Sequence, residues 1–408
     1  MGKTFLFGAF ALVFAQAIFV LSGYVVHIGL GRLLGPAGYG LYGVAISLVM
    51  LASLIFNSGL KVAVSKFVSA NPSFGESIKS AALRLNFKIG LVLSIAYFLL
   101  AGLFSVLLND ARLASLIQVS SLIILGYAFY TVFLGFLNGM KQYNRQALLI
   151  SAYSIAKAVL ILVLVLLASS VAGALFGFAL SLFVGAMMGL VLSGFAYSNK
   201  AFSQLKILRF ALPVLVFVFF TEFSLTLGLF AAKSLLIGET LAGYYNAALQ
   251  LSRLPYYFTI ALSSALLPFV SHSFSKNEKQ KLRHSVRKAL KYFLCFVVPS
   301  SLLISLFSSP LVEILFGSDF LPSSSPLAIL AFASIFFCFF YLLSIVLIGI
   351  EKQKLATLVS LTVFSLALAL NFILIPIFSL SGSAFATLIA FFFGSVFTGL
   401  AVWKHLPR

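Results

Sequence analysis

The sequence predicts an all-α integral membrane protein. About twelve transmembrane helices form two parallel six-helix bundles related by a pseudo-two-fold axis along the membrane normal. Three observations carry that prediction. The 408 residues are 62% hydrophobic and only 9% charged, against roughly 25% charged in soluble domains. The apolar residues fall into runs of about 20, the length of helix that crosses the hydrocarbon core. The two halves of the chain also repeat one another at matched positions.

The spans fall near 4–34, 39–60, 86–108, 113–138, 147–170 and 171–196 in the first half. In the second they fall near 209–237, 241–272, 288–317, 324–350, 355–378 and 380–403. Pro213, Pro255, Pro268, Pro299 and Pro376 lie in or near them, which membrane helices tolerate when neighbours satisfy the freed backbone groups. The first run lacks a small-residue cleavage site and reads as an uncleaved helix. Leu6 stands where a myristoylation motif needs Ser or Thr.

The net charge of +19 would suggest nucleic acid in a soluble chain, but here its distribution describes orientation. Of the 27 Lys and Arg, only Arg32 and Arg112 fall in one set of loops, and Lys157, Lys233 and Arg253 lie within spans. All the others sit on the opposite side, which places both termini in the cytoplasm of a multi-pass protein of the cell membrane. The densest stretch, Lys276 to Lys291, reads as an orientation signal beside anionic headgroups, with partner binding as the alternative. Cys295 and Cys338 lie in apolar runs without metal-type spacing. No metal, cofactor or nucleic-acid partner is implied.

The repeat begins with Leu34 to Ala45 against Ile237 to Ala248, where Gly35 matches Gly238. It continues with Lys66-Phe67-Val68-Ser69 against Pro268-Phe269-Val270-Ser271, then Gly139 with Lys141-Gln142 against Gly349 with Lys352-Gln353. It ends with Ala172-Gly173-Ala174-Leu175-Phe176 against Ser381-Gly382-Ser383-Ala384-Phe385. The order of the matches gives lobes over 1–197 and 209–408, joined by a cytoplasmic linker at 198–208.

The repeated segments carry a resemblance. Gly31-Arg32-Leu33-Leu34-Gly35-Pro36 followed by Gly38-Tyr39-Gly40-Leu41-Tyr42 resembles the first loop of the polysaccharide flippases of the multidrug/oligosaccharidyl-lipid/polysaccharide exporter superfamily. Gly243-Tyr244-Tyr245-Asn246-Ala247-Ala248, with Leu251-Ser252-Arg253-Leu254-Pro255, is similar to their eighth helix, and Gly382 to Thr387 to the start of their last. The resemblance implies a V-shaped pair of bundles around a cationic cavity. It also implies alternating-access transport of a polyprenyl-diphosphate-linked oligosaccharide from the cytoplasmic to the outer leaflet. The related lipid II flippases share an essential arginine at the position matching Arg253. They also use charged residues in the first two helices, including an Arg-Asp pair in the first and an Arg at mid-membrane in the second, and this sequence lacks both. That departure favours the O-antigen-type branch.

Ionisable groups at bilayer depth are costly and point to function. A rise of about 1.5 Å per residue puts Arg253 roughly 18 Å into its span, Lys157 roughly 15 Å and Glu222 roughly 20 Å. A diphosphate is a compact anion that Arg can grip bidentately, so Arg253 is the first substrate-binding candidate, with structural pairing as its alternative. Lys157 is a second, or else pairs with Glu222 as a gate between the halves. Glu222 is a coupling site for a proton or sodium ion, or a structural partner. Arg32 guides the departing headgroup or holds a loop, and Lys233 snorkels to the outer surface. Tyr245 and Asn246 are further substrate-contact candidates, and Tyr24 and Tyr244 join them as aromatics for sugar or prenyl chain.

The outer loops are short and hold no carboxylate pair, so the chain reads as a transporter and not an enzyme. A cation-coupled multidrug exporter is the main rival, although no carboxylate lies between Thr4 and Leu34. A lipid II flippase and a passive channel are the others. A monomer is expected.

Overall fold

The computed structural model describes residues 2–195 and 202–406. Residues 198–201 of the expected linker, with Lys200 and Arg408 of the basic set, lie outside the described residues. Helices α1 (Gly2–Leu54), α2 (Lys61–Ala70), α3 (Gly75–Leu99), α4 (Ala101–Leu107), α5 (Arg112–Gly139), α6 (Tyr143–Ala168) and α7 (Val171–Ser193) come first. They are followed by α8 (Gln204–Leu235), α9 (Leu241–Ser252), α10 (Leu254–Ser275), α11 (Lys279–Tyr292), α12 (Val298–Leu306), α13 (Ser308–Phe316), α14 (Ser324–Gly349) and α15 (Gln353–His405). No strand occurs among the described residues. Ten helices there are long and apolar enough to cross a membrane.

Two of the ten are each broken midway. Gly35 interrupts α1 with φ 64°, a left-handed conformation that only glycine adopts freely. Pro36 then opens the next rod, where its missing N–H costs nothing. Ser379 interrupts α15 with φ 53° and ψ −131°, three residues after Pro376. The sequence places these breaks at 34–39 and 378–380. It ends the second span too early, at residue 60. The chain instead passes through a π-turn at Ile55–Leu60 and stays helical to Ala70. It likewise starts the third span late, since α3 begins at Gly75. In both cases helix continues past the apolar run because packing holds it. A Cβ on Gly135 or Gly139 would collide with Val64, Val68 and the carbonyls of Lys61 and Ser65, so α2 lies directly on α5. Ser65 Oγ donates to Asn138 Oδ1 at 2.6 Å, and Asn138 Nδ2 to Gln146 Oε1 at 3.0 Å.

The chain divides into two compact units, Met1–Phe219 and Phe220–Arg408. The division falls inside α8, whose start packs on α2: Lys66 Nζ stands 3.8 Å above the Phe210 ring, and just before α8 the Phe202 ring lies 5.5 Å from that of Phe67. In the first unit α5 is the most enclosed helix, against α2, α3 and α7. In the second α14 takes that place, against α9, α10, α12 and α15.

The repeat read from the sequence recurs as contacts. Gly139 meets Val68, and its match Gly349 meets the matched Val270. Gly173 lies against the Leu164 carbonyl, and its match Gly382 against that of Leu374. These four glycines let backbones approach where any side chain would hold them apart.

Two basic residues of the orientation set also cap α7. Lys79 is fully buried. Its ammonium donates to the Ser193 and Gly194 carbonyls at 2.9 and 3.0 Å, pairs with Glu76 at 2.8 Å and stands 4.4 Å from the Phe136 ring centre. Arg145 Nη1 donates to Leu192 O at 3.1 Å. Unpaired carbonyls at a helix end favour such cations. Lys79→Met is expected to lower stability by roughly 2–3 kcal/mol, because the buried carbonyls lose a charged donor. Thermal unfolding of the purified protein checks this, and Glu76→Gln, at the exposed end of the pair, is expected to change little.

Candidate functional site

Pro255 shapes the second unit's polar centre. It has no N–H, and its ring would clash with the carbonyl of Leu251 in a continuous helix. The span expected over 241–272 is accordingly broken at Arg253, which joins α9 to α10 with φ −81° and ψ −8°. Its amide bonds to Gln250 O at a long 3.3 Å. The break turns the Arg253 side chain into the helix packing, where Nε and Nη2 are buried without an acceptor. They lie at a small cavity of about 20 Å³ bordered by Ser252, Tyr256, Ser334, Phe337 and Thr387. That is room for about one water or one ligand oxygen. A guanidinium so placed can donate to an oxygen that enters the cavity.

Glu222, on α8, completes this polar centre. Its Oε1 accepts from Tyr256 Oη at 2.9 Å, and the Glu222 and Arg253 charges both act on that hydroxyl. Tyr256 also packs edge-on to Phe337 and Tyr341, at 4.7 and 5.2 Å between ring centres. The sequence reading missed Tyr256. Its signal was spacing, since a residue three positions after Arg253 shares its helical face.

The first unit holds the other cation. Lys157, on α6, is only 6% exposed. Its ammonium stands 4.7, 5.7 and 5.9 Å from the ring centres of Phe19, Tyr153 and Phe178. It makes no hydrogen bond or ion pair among the described residues. An ammonium over aromatic faces is held by their quadrupoles while keeping its donors free. The Tyr153 and Tyr130 rings pack tilted at 4.6 Å between centres, and His27 Nδ1 lies 3.0 Å from the Tyr39 hydroxyl. Tyrosines Tyr39, Tyr42 and Tyr153 are buried in this unit.

The remaining candidates lie elsewhere. Tyr245 and Asn246 are wholly buried in α9. The Tyr245 hydroxyl packs against Gly228 beside Ser383, and Asn246 Oδ1 accepts from Gln250 Nε2 at 3.3 Å. Arg32 is exposed one turn before the Gly35 break. Tyr24 and Tyr244 are half-buried, and Tyr244 sits edge-on to Phe320 at 6.2 Å. Lys233 does not snorkel: it is 8% exposed in the last turn of α8, where the carbonyl end of the helix favours a cation. No group of three His, Cys, Asp or Glu side chains among the described residues could hold a metal.

Known proteins share this fold and parts of this sequence. Residues 213–373 match the family described as MatE. The probable low-salt glycan biosynthesis flippase Agl15 of Haloferax volcanii is 29% identical over 161 residues, 40% of this chain. The match spans about a third, 34%, of that relative's length. The lipid II flippase MurJ of Bacillus subtilis is 22% identical over 99% of this chain and 84% of its own. The inward-facing structure of a multidrug resistance MATE family transporter superimposes with a TM-score of 0.78, covering 95% of each chain at 17% identity. Such identity speaks for the fold alone. Residues 5–274 match the family described as "Polysaccharide biosynthesis protein". The chain therefore belongs to the family described as polysaccharide biosynthesis protein.

Proposed function

We propose that the protein is a flippase carrying a polyprenyl-diphosphate-linked oligosaccharide from the cytoplasmic to the outer leaflet by alternating access. It works as two six-helix halves near 1–197 and 209–408, with both termini cytoplasmic. The observation that carries this is Arg253. A guanidinium with two buried, unmet donors at a helix break suits an anion arriving in a dry setting. Lys157, ringed by aromatics, offers a second cation. Arg32 contacts the headgroup on its way out. Tyr245 and Asn246, buried in α9, brace the helix that ends at Arg253.

The test uses purified protein in liposomes with a fluorescent prenyl-diphosphate oligosaccharide, following its access to a reagent on one side. Protein-dependent translocation is expected. Export of cationic dyes with no movement of any prenyl-linked sugar would overturn the reading.

The match of residues 213–373 to the MatE family favours a second reading, a cation-coupled multidrug exporter. In either case Glu222 is the coupling residue. Glu222→Gln keeps an acceptor for Tyr256 but removes the charge. The variant is expected to transport at a rate that no longer responds to an imposed proton or sodium gradient. A retained response would remove Glu222 from coupling.

A further inference from the structure

The α10–α11 hairpin forms a groove that the function above does not use. The π-turn Phe293–Val297 continues α11 into α12, so α10 and this rod run antiparallel. Two contacts set their register. Phe258 and Phe296 pack with ring centres 5.2 Å apart. About three helical turns away on each rod, Phe269 and Ser285 line one open cavity.

On α10 that spacing returns Phe269 to nearly the face that carries Phe258, so the cavity and the Phe258–Phe296 pair lie along one side of the hairpin. At the lysine-rich end the cavity is about 620 Å³ and is also lined by His272, Lys276, Lys281 and His284. The only carboxylate there is Glu278, whose Oε1 accepts from Lys281 Nζ at 3.0 Å. Lys281 and Lys276 hold the Glu278 carboxyl below the usual range, so it stays ionised and steadies Lys281. Lys279, Arg283, Arg287 and Lys288 add positive charge on the same helix.

The apolar half is as telling as the basic half. Phe269 is 64% exposed although it lines the same cavity as Lys276 and His284. It lies about 10 Å along α10 from Lys276. Further down, Phe258 and Phe296 remain 39% and 55% exposed. A soluble anion would satisfy the lysines and leave this aromatic wall bare. A molecule with an anionic phosphate at one end and a hydrocarbon chain at the other covers both.

We propose that this groove is a binding site for one anionic glycerophospholipid. Its phosphate sits between Lys276 and Lys281, and an acyl chain runs over Phe269 toward the Phe258–Phe296 pair. Leu282, Val286 and Ala289 anchor the opposite face of α11 in the protein, so the basic face is displayed without being needed for folding.

The test is native mass spectrometry of the full chain titrated with phosphatidylglycerol and, separately, phosphatidylcholine. Wild type is expected to prefer phosphatidylglycerol. The double variant K276Q/K281Q should bind it about 30-fold more weakly, from a factor of roughly five per basic residue at an anionic surface. Phe269→Ala should weaken long-chain phosphatidylglycerol more than a short-chain form. The control K352Q/K354Q removes the same charge from exposed positions at the start of α15 and should bind as wild type does. Equal weakening in the control, or unchanged binding in K276Q/K281Q, would overturn the site. So would competition by inorganic phosphate alone at lipid-like concentrations. None of these readouts depends on transport, so they stand apart from the flippase assay.

Discussion

Arg253→Ala is expected to abolish translocation of the prenyl-linked sugar while leaving the protein as stable as wild type. The two effects have one cause. Nε and Nη2 are buried with no protein acceptor, so removing the side chain breaks no protein hydrogen bond at those atoms. When a diphosphate arrives, the same donors are already dry and aimed. Losing a buried charge-assisted contact then costs about 2–5 kcal/mol of binding, on the order of 30-fold to 5,000-fold. Arg253→Lys keeps the charge but not the planar fork, and should retain partial transport with weaker substrate binding. Parallel measurement of thermal unfolding and liposome translocation separates this role from a structural one. An Arg that held the helix break together would lose stability and transport together.

Gly382→Val and Gly173→Val are expected to prevent recovery of folded protein. In both, a Cβ would press into a backbone carbonyl, of Leu374 in one and Leu164 in the other. A carbonyl inside a helix cannot move aside as a flexible side chain can, so the strain should exceed about 3 kcal/mol. Gly102, which has open space around it, provides the control, and Gly102→Val should express and unfold as wild type does. Monodispersity on size exclusion and the thermal midpoint read the result. Equal damage at the matched positions would extend the repeat from a likeness of sequence to a likeness of energetics.

Much of this was legible in the residues. The apolar runs gave the spans, Gly35-Pro36 gave the first break, and the matched glycines gave contacts that recur in the two units. Arg253 stood out because an arginine inside an apolar run needs a reason. Other features were hidden because they depend on packing. Pro255 was visible, but whether it bends a helix or splits it at Arg253 depends on what fills the gap. Tyr256 looked like one aromatic among 46 Phe and 15 Tyr, and only the fold brings it to Glu222. Lys233 was read as reaching the surface, because depth along a helix says nothing about which side its neighbours cover. The extensions of α2 and α3 beyond their apolar cores were missed for a related reason. Hydropathy marks where lipid is, whereas the helix goes on as long as a partner supports it.

The capping of α7 by Lys79 and Arg145 bears on how such a chain can be re-engineered. Membrane topology is commonly probed by neutralising or transplanting positive residues and asking whether the protein inverts. In this chain two of those residues are also fasteners, because their charges close the end of a helix. A variant without them would lose two positive charges and a helix clasp together, and a failed insertion could be mistaken for a reversed one. Charge swaps meant to report orientation are better placed at exposed positions such as Lys352 and Lys354, which can be moved without loosening the frame.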